Sequence, residues 1–162
     1  VIIGHAGVAY ALRPSKPRAT RILLLLTGAA FAPDAVQSVV GWIAGYDASI
    51  VWSHSIPAVF TAGFVSAVVC GLAGGRRVAL LAAVATWTHW PLDAITGLKP
   101  LTLHGPFVGL GLYERPVVDT IVETALLLFG AWLSERRGYR ADRRVIVGAV
   151  AAHALISYLG SR

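Results

Sequence analysis

Charged side chains are scarce in this chain, methionine is missing altogether, and cysteine occurs once. Only 14% of the 162 residues are Asp, Glu, Lys or Arg, against roughly a quarter in an average soluble domain. Hydrophobic residues make up 56% and the mean hydropathy is +0.68, more apolar than such a domain allows. These shortages exclude an ordinary soluble protein and leave a polytopic membrane protein, read as one integral-membrane domain over residues 1–162. The lone Cys70 excludes an intramolecular disulfide, and its neighbours in "SAVVCGLAG" assign it to packing. Without a methionine, the initiator either lies outside this sequence or was a GTG codon read as valine. No cleavable signal peptide is expected, because "VIIGHAGVAYAL" lacks a basic start and His5 interrupts its apolar run.

Six apolar segments are present, at about 1–12, 22–45, 50–73, 78–97, 117–134 and 144–160. The four from 22 to 134 approach the ~20 residues that cross a bilayer as helix. The first is short enough only to dip in, and the last is short for a span. No strand-like alternation competes, and spans are helices or closed barrels. The expected fold is therefore all-α, a transmembrane bundle of about five to six helices.

The net charge of +6 would suit nucleic acid if it formed one patch, but it is dealt out to alternate loops. Residues 13–21 carry Arg13, Lys16, Arg18 and Arg21, residues 76–77 carry Arg76 and Arg77, and residues 134–144 carry Arg136, Arg137, Arg140, Arg143 and Arg144. The intervening loops, around Asp47 and from 98 to 116, hold only Lys99 and Arg115. Basic loops stay in the cytoplasm, so the amino terminus is expected outside. No nucleic acid is expected as a partner. Lipid is, with anionic headgroups attracting the basic loops.

That orientation gives each buried ionisable residue a depth. His5, His54, His89, Asp93, Asp119, Glu123 and His153 all fall in the outer half of their segments, and Asp34 falls near the middle of its own. An ionisable group at mid-membrane costs about 2.5–3.5 kcal/mol on insertion scales, so such residues are usually paired and functional. His89 and Asp93 are four apart, hence on one helix face, and Asp119 and Glu123 repeat that spacing. Imidazole and carboxylate together suit a borderline divalent cation, zinc first and manganese second. Taken singly, a His–Asp pair reads equally as a hydrogen bond between helices. His153 alone reads first as a hydrogen bond between helices, Asp34 alone as a helix cap or a proton-relay carboxylate, and Asp119 equally as a helix-start charge after Pro116. Pro33, Pro57 and Pro91 sit beside Asp34, His54 and His89. Proline breaks at membrane depth are tolerated where protein or a wet cavity covers them, so a polar cavity opening outward is expected.

"GHAGVAYAL", "GAAFAPDAV", "WSHSIP" and "THWPLDAITGLKPL" stand in the order of four motifs of the bacterial membrane-bound metal-dependent hydrolases. The chain resembles that family over roughly residues 4 to 123. The family's elements are a Gly-His, a Leu-Pro-Asp-Ile-Asp, a Thr-His-Ser and a His-x-x-x-Asp with a following turn. The resemblance implies His5, Asp34, His54, His89 and Asp93 as metal ligands. More remotely the pattern is similar to zinc-dependent phospholipases C, in which a later carboxylate, here Glu123, completes the set. Two elements differ. Val36 replaces the second Asp, and "SIV" (49–51) with Ser53 replaces His-Arg-Gly-Thr.

The resemblance thus implies a metal-dependent hydrolase of the bacterial cytoplasmic membrane, with its site at the outer face and a lipid or lipid-linked phosphoester as substrate. A bound cation would lower the pKa of water towards 7 and polarise the substrate oxygen. Glu123 or Asp119 would orient the water or complete a second site. Two other classes use the same cluster. A proton or metal transporter would need an inward path, and the inner half offers no ionisable residue for one. A noncatalytic accessory subunit is what the Val36 and "SIV" replacements favour.

Overall fold

The computed structural model describes residues 3–14 and 19–160. Lys16 and Arg18 of the first basic loop, and Val1 and Ile2 of the first apolar segment, lie outside the described residues. Every apolar segment is helical over most of its described residues. In chain order the helices are α1 (Ile3–Leu12), α2 (Ala19–Ala30), α3 (Ala32–Ala44), α4 (Tyr46–His54), α5 (Ile56–Gly74), α6 (Arg76–Trp87), α7 (His89–Thr96), α8 (Pro116–Arg136) and α9 (Arg143–Gly160). Three of them are long and apolar enough to cross a membrane: α5, α6 with α7 taken together, and α8. The α2–α3 pair, bent by 48°, makes a fourth if counted as one broken span. Among the described residues, length and composition thus give three to four spans, short of the five to six expected.

The breaks come where proline removes a donor. Within a continuous helix Ala29 C=O would accept from residue 33, but Pro33 has no N–H to give. Thr86 Oγ, 2.7 Å away, donates to that carbonyl instead. The chain bends at Phe31, and α3 restarts with Pro33 and Asp34 in its first turn. Ser55, with extended backbone, ends α4 at His54 and caps α5 by accepting from Ala58 N–H, with Pro57 in the new first turn. The break between α6 and α7 at Thr88 is milder, and its backbone stays helical.

Small residues let these helices approach closely, as membrane interfaces require. Ala9, Leu26, Ala29, Ala30, Cys70, Val78, Ala82 and Ala85 form one buried core between α1, α2, α5 and α6. Cys70 is packed there as expected, its Sγ 3.7 Å from Leu25 C=O. Between α1 and α8 the backbones themselves meet, since a Cβ on Gly130 would strike the Gly7 carbonyl and one on Gly7 would strike Leu126 C=O.

Residues 97–115 fold over one end of the bundle. A short antiparallel ladder pairs β1 (Lys99–Pro100) with β2 (Phe107–Val108), Lys99 opposite Val108. Trp90 Nε1 donates to Pro100 C=O, Leu110 N–H to Ala94 C=O, and Ile56 N–H to Leu101 C=O. These bonds tie the cap to α7 and to the start of α5, which holds Lys99 over the helix ends.

Candidate metal centre

Four of the residues singled out in the sequence meet under that cap. Asp34 from the first turn of α3, His54 from the end of α4, and His89 and Asp93 from α7 bring ligand atoms within 4.8 Å of one another. His54 Nε2 lies 3.0 Å from His89 Nε2, 3.3 Å from Asp34 Oδ1 and 3.1 Å from Asp93 Oδ2. His89 Nε2 lies 3.6 Å from Asp34 Oδ1 and 3.4 Å from Asp93 Oδ2. A regular tetrahedron of ligands at ~2.0–2.1 Å from zinc has edges of about 3.3 Å. The five distances scatter around that value.

The protonation pattern points the same way. His89 Nδ1 is 2.8 Å from Ala30 C=O, which only accepts, so Nδ1 carries the proton. Ser53 Oγ donates to Ser49 C=O at 2.6 Å and therefore accepts from His54 Nδ1, also at 2.6 Å. Where both rings are neutral, the two Nε2 atoms, 3.0 Å apart, each carry a lone pair. Two lone pairs at that distance repel unless an electrophile sits between them. A partner on the far nitrogen that fixes the tautomer is also what metal-bound histidines commonly have. The donor set fits a divalent cation.

His5, expected among the ligands, stands outside this group of four. Its Nε2 is 3.1 Å from Asp93 Oδ1, while the other oxygen, Oδ2, lies by His54 and His89, and the His5 ring stacks on His89 with centroids 3.8 Å apart. It thereby orients Asp93 and packs against the His89 ring. Lys99 was passed over in the sequence as a loop charge, yet its ammonium is 2.7 Å from Asp93 Oδ2 and almost fully buried. The signal was available, because Lys99 is one of only two basic residues in loops otherwise without them. His54, His89 and Asp93 are buried, whereas the Asp34 side chain is 38% exposed and forms the open edge of the group. Four protein ligands in a tetrahedron are the usual structural arrangement, and a catalytic cation keeps a position for water, so a cation here would need a fifth position, reached along the Asp34 edge.

Asp119 and Glu123, expected to orient water or complete a second site, gather with His153 of α9 in a second group of potential ligands. Glu123 Oε2 accepts the backbone N–H of Ile3 at 2.7 Å and of Gly4 at 3.4 Å. A carboxylate there meets two orphan donors and the positive end of α1. Asp119 Oδ2 is 3.3 Å from His153 Nε2, so His153 does link α9 to α8. His104 is exposed in the cap. Val36, where the family motif has its second Asp, lines a groove of about 390 Å³ with Ala32, Trp52, Ser53, Pro57 and Leu103.

Comparison of the chain with models of known protein families, with curated proteins and with solved structures finds no match. The likeness to the metal-dependent hydrolases therefore stands on its four motifs.

Proposed function

We propose that this chain is a metal-dependent hydrolase embedded in the bacterial cytoplasmic membrane, open to the outer face and acting on a lipid or lipid-linked phosphoester. The observation that carries this reading is the convergence of two imidazole Nε2 atoms, 3.0 Å apart, on the carboxylates of Asp34 and Asp93. Zinc suits the two-nitrogen, two-oxygen donor set best, and manganese is the alternative. When bound, such a cation supplies an activated water and a Lewis acid for the substrate oxygen.

The chain's own residues do the rest. Asp34, His54, His89 and Asp93 hold the cation. Ser53 and the Ala30 carbonyl fix the two imidazoles, and His5 fixes Asp93. Lys99, paired with Asp93 Oδ2, places a positive charge within the group, where it would stabilise the charge that grows on a phosphate oxygen. The mostly apolar groove starts at Ser53, which favours a substrate with a hydrocarbon tail. In this reading α1 and α9 complete the membrane-embedded bundle around the spans, bringing it to five to six segments with the amino terminus outside.

A second reading, a membrane subunit that keeps the fold without chemistry, is favoured by the Lys99–Asp93 pair, which neutralises a ligand carboxylate directly. Turnover separates the two. Protein reconstituted in proteoliposomes with zinc or manganese is expected to release phosphate or phospho-headgroup from lipid phosphoesters, and His89→Ala or Asp34→Asn to abolish release. Full metal content with no turnover on any phosphoester would leave the subunit reading. Absence of metal from the wild type would sink the hydrolase.

A further inference from the structure

The second group of ionisable residues has features that the proposed hydrolase does not use. Asp119, Glu123 and His153 are 1%, 0% and 2% exposed, buried between α8 and α9 beside the first turn of α1. His153 Nε2 is 3.3 Å from Asp119 Oδ2, 3.8 Å from Glu123 Oε1 and 3.4 Å from Ser157 Oγ. One imidazole N–H donates along one line, and here two carboxylates converge on it. The other Asp119 oxygen, Oδ1, is buried with no hydrogen-bond partner among the described residues. Burying an ionised carboxylate with an unmet oxygen is costly. The two carboxylates stand one turn apart on the same face of α8, so their charges repel as well.

We infer that Asp119, Glu123 and His153 form a second divalent-cation site, separate from the Asp34–His54–His89–Asp93 group. A divalent cation answers each feature at once. It cancels both carboxylate charges, gives the Asp119 carboxylate a partner that no hydrogen bond supplies to Oδ1, and replaces the single proton with a centre that all three side chains can share. Two oxygens and one nitrogen suit zinc or manganese rather than calcium, which takes six or more oxygens. The site has a structural consequence. Glu123 Oε2 holds the amides of Ile3 and Gly4, and the next residue is His5, which orients Asp93. A cation here braces α9 and α8 against the helix that carries His5, so it sets the geometry of the first centre without touching substrate.

The experiment is a metal count on the full chain in detergent after dialysis against zinc, paired with anomalous diffraction at the zinc edge. Wild type is expected to hold two equivalents. Asp119→Asn and His153→Gln should each hold one, keeping the equivalent that His89→Ala loses. Should those variants fail to fold, the wild-type map decides, with an anomalous peak expected between Asp119, Glu123 and His153. A peak at the first group alone, or an unchanged count in both variants, would overturn the inference while leaving the hydrolase standing. A peak at the second group alone would do the reverse.

Discussion

At the scale of single residues, the centre depends on which nitrogen of each histidine carries its proton. Ala30 C=O and Ser53 Oγ make that choice for His89 and His54, and metal binding should follow it. His89→Ala and Asp93→Asn are expected to lower bound metal and the melting temperature together, read by elemental analysis and thermal unfolding in detergent. A ligand at a hundredfold excess over its Kd contributes about 2.7 kcal/mol, and chelator should lower wild type by the contributions of both groups but the variants only by that of the second. Unchanged metal and melting in both would reduce the pair to hydrogen bonds that tie α7 to its neighbours. His5 is a different case, because it reaches the metal group only through Asp93 and the His89 ring. His5→Phe keeps the stacking and loses the hydrogen bond, so metal should still bind, roughly 10–100-fold more weakly. Loss of binding altogether would make His5 a ligand. Much of this was legible in the sequence, since spacing alone put His89 and Asp93 on one face. The tautomer-setting partners were not, because a backbone carbonyl such as Ala30 C=O has no side-chain signature.

At the scale of elements, the centre is built from helix breaks. The prolines announced them, and the structure puts Asp34 in the first turn after one break and His54 in the last turn before another. Pro33→Ala restores an N–H for Ala29 C=O, in competition with Thr86 Oγ. The bend at Phe31 should then relax and carry Asp34 away from His54. Metal affinity is expected to fall by roughly tenfold or more while circular dichroism keeps its helical amplitude. An unchanged affinity would mean that packing, and not the missing donor, holds the bend. The contact of α1 with α8 makes a second test. Gly130→Leu would push its side chain into the Gly7 carbonyl, and overpacking commonly costs 1–3 kcal/mol. Because α1 carries His5, the variant should lose stability and weaken metal binding together. That contact was hidden in the sequence. Apolar length marks a helix, but nothing in the periodicity of a uniformly apolar helix says which neighbour it meets, so residues 7 and 130 could not be paired in advance. The cap was equally hidden, because a ladder of two residues per strand is too short to leave an alternation.

At the scale of the whole molecule, two of the basic loops come together at one end. Arg137 donates to Ala11 C=O at 2.6 Å, and the Arg13 guanidinium lies 4.4 Å from the centre of the Tyr139 ring. The metal group lies towards the other end. From Arg76 at the start of α6 to His89 is thirteen residues, about 20 Å of helix at 1.5 Å each, in a hydrocarbon layer of ~30 Å. Exposed apolar side chains such as Phe60, Phe64, Leu72, Ile121 and Phe129 cover the flanks, as a lipid-facing surface requires. If the basic end is cytoplasmic, the group lies in the outer third of the bilayer. Cysteine labelling in intact cells tests this, with Cys70→Ala as background so that the buried native thiol adds no signal. Asp47→Cys, exposed at the start of α4, should react with an impermeant thiol reagent added outside. Arg140→Cys, exposed between α8 and α9, should react only after the membrane is opened. The reverse pattern would put Asp34 and Lys99 on the cytoplasmic side, and a substrate from the outer leaflet could then no longer reach them.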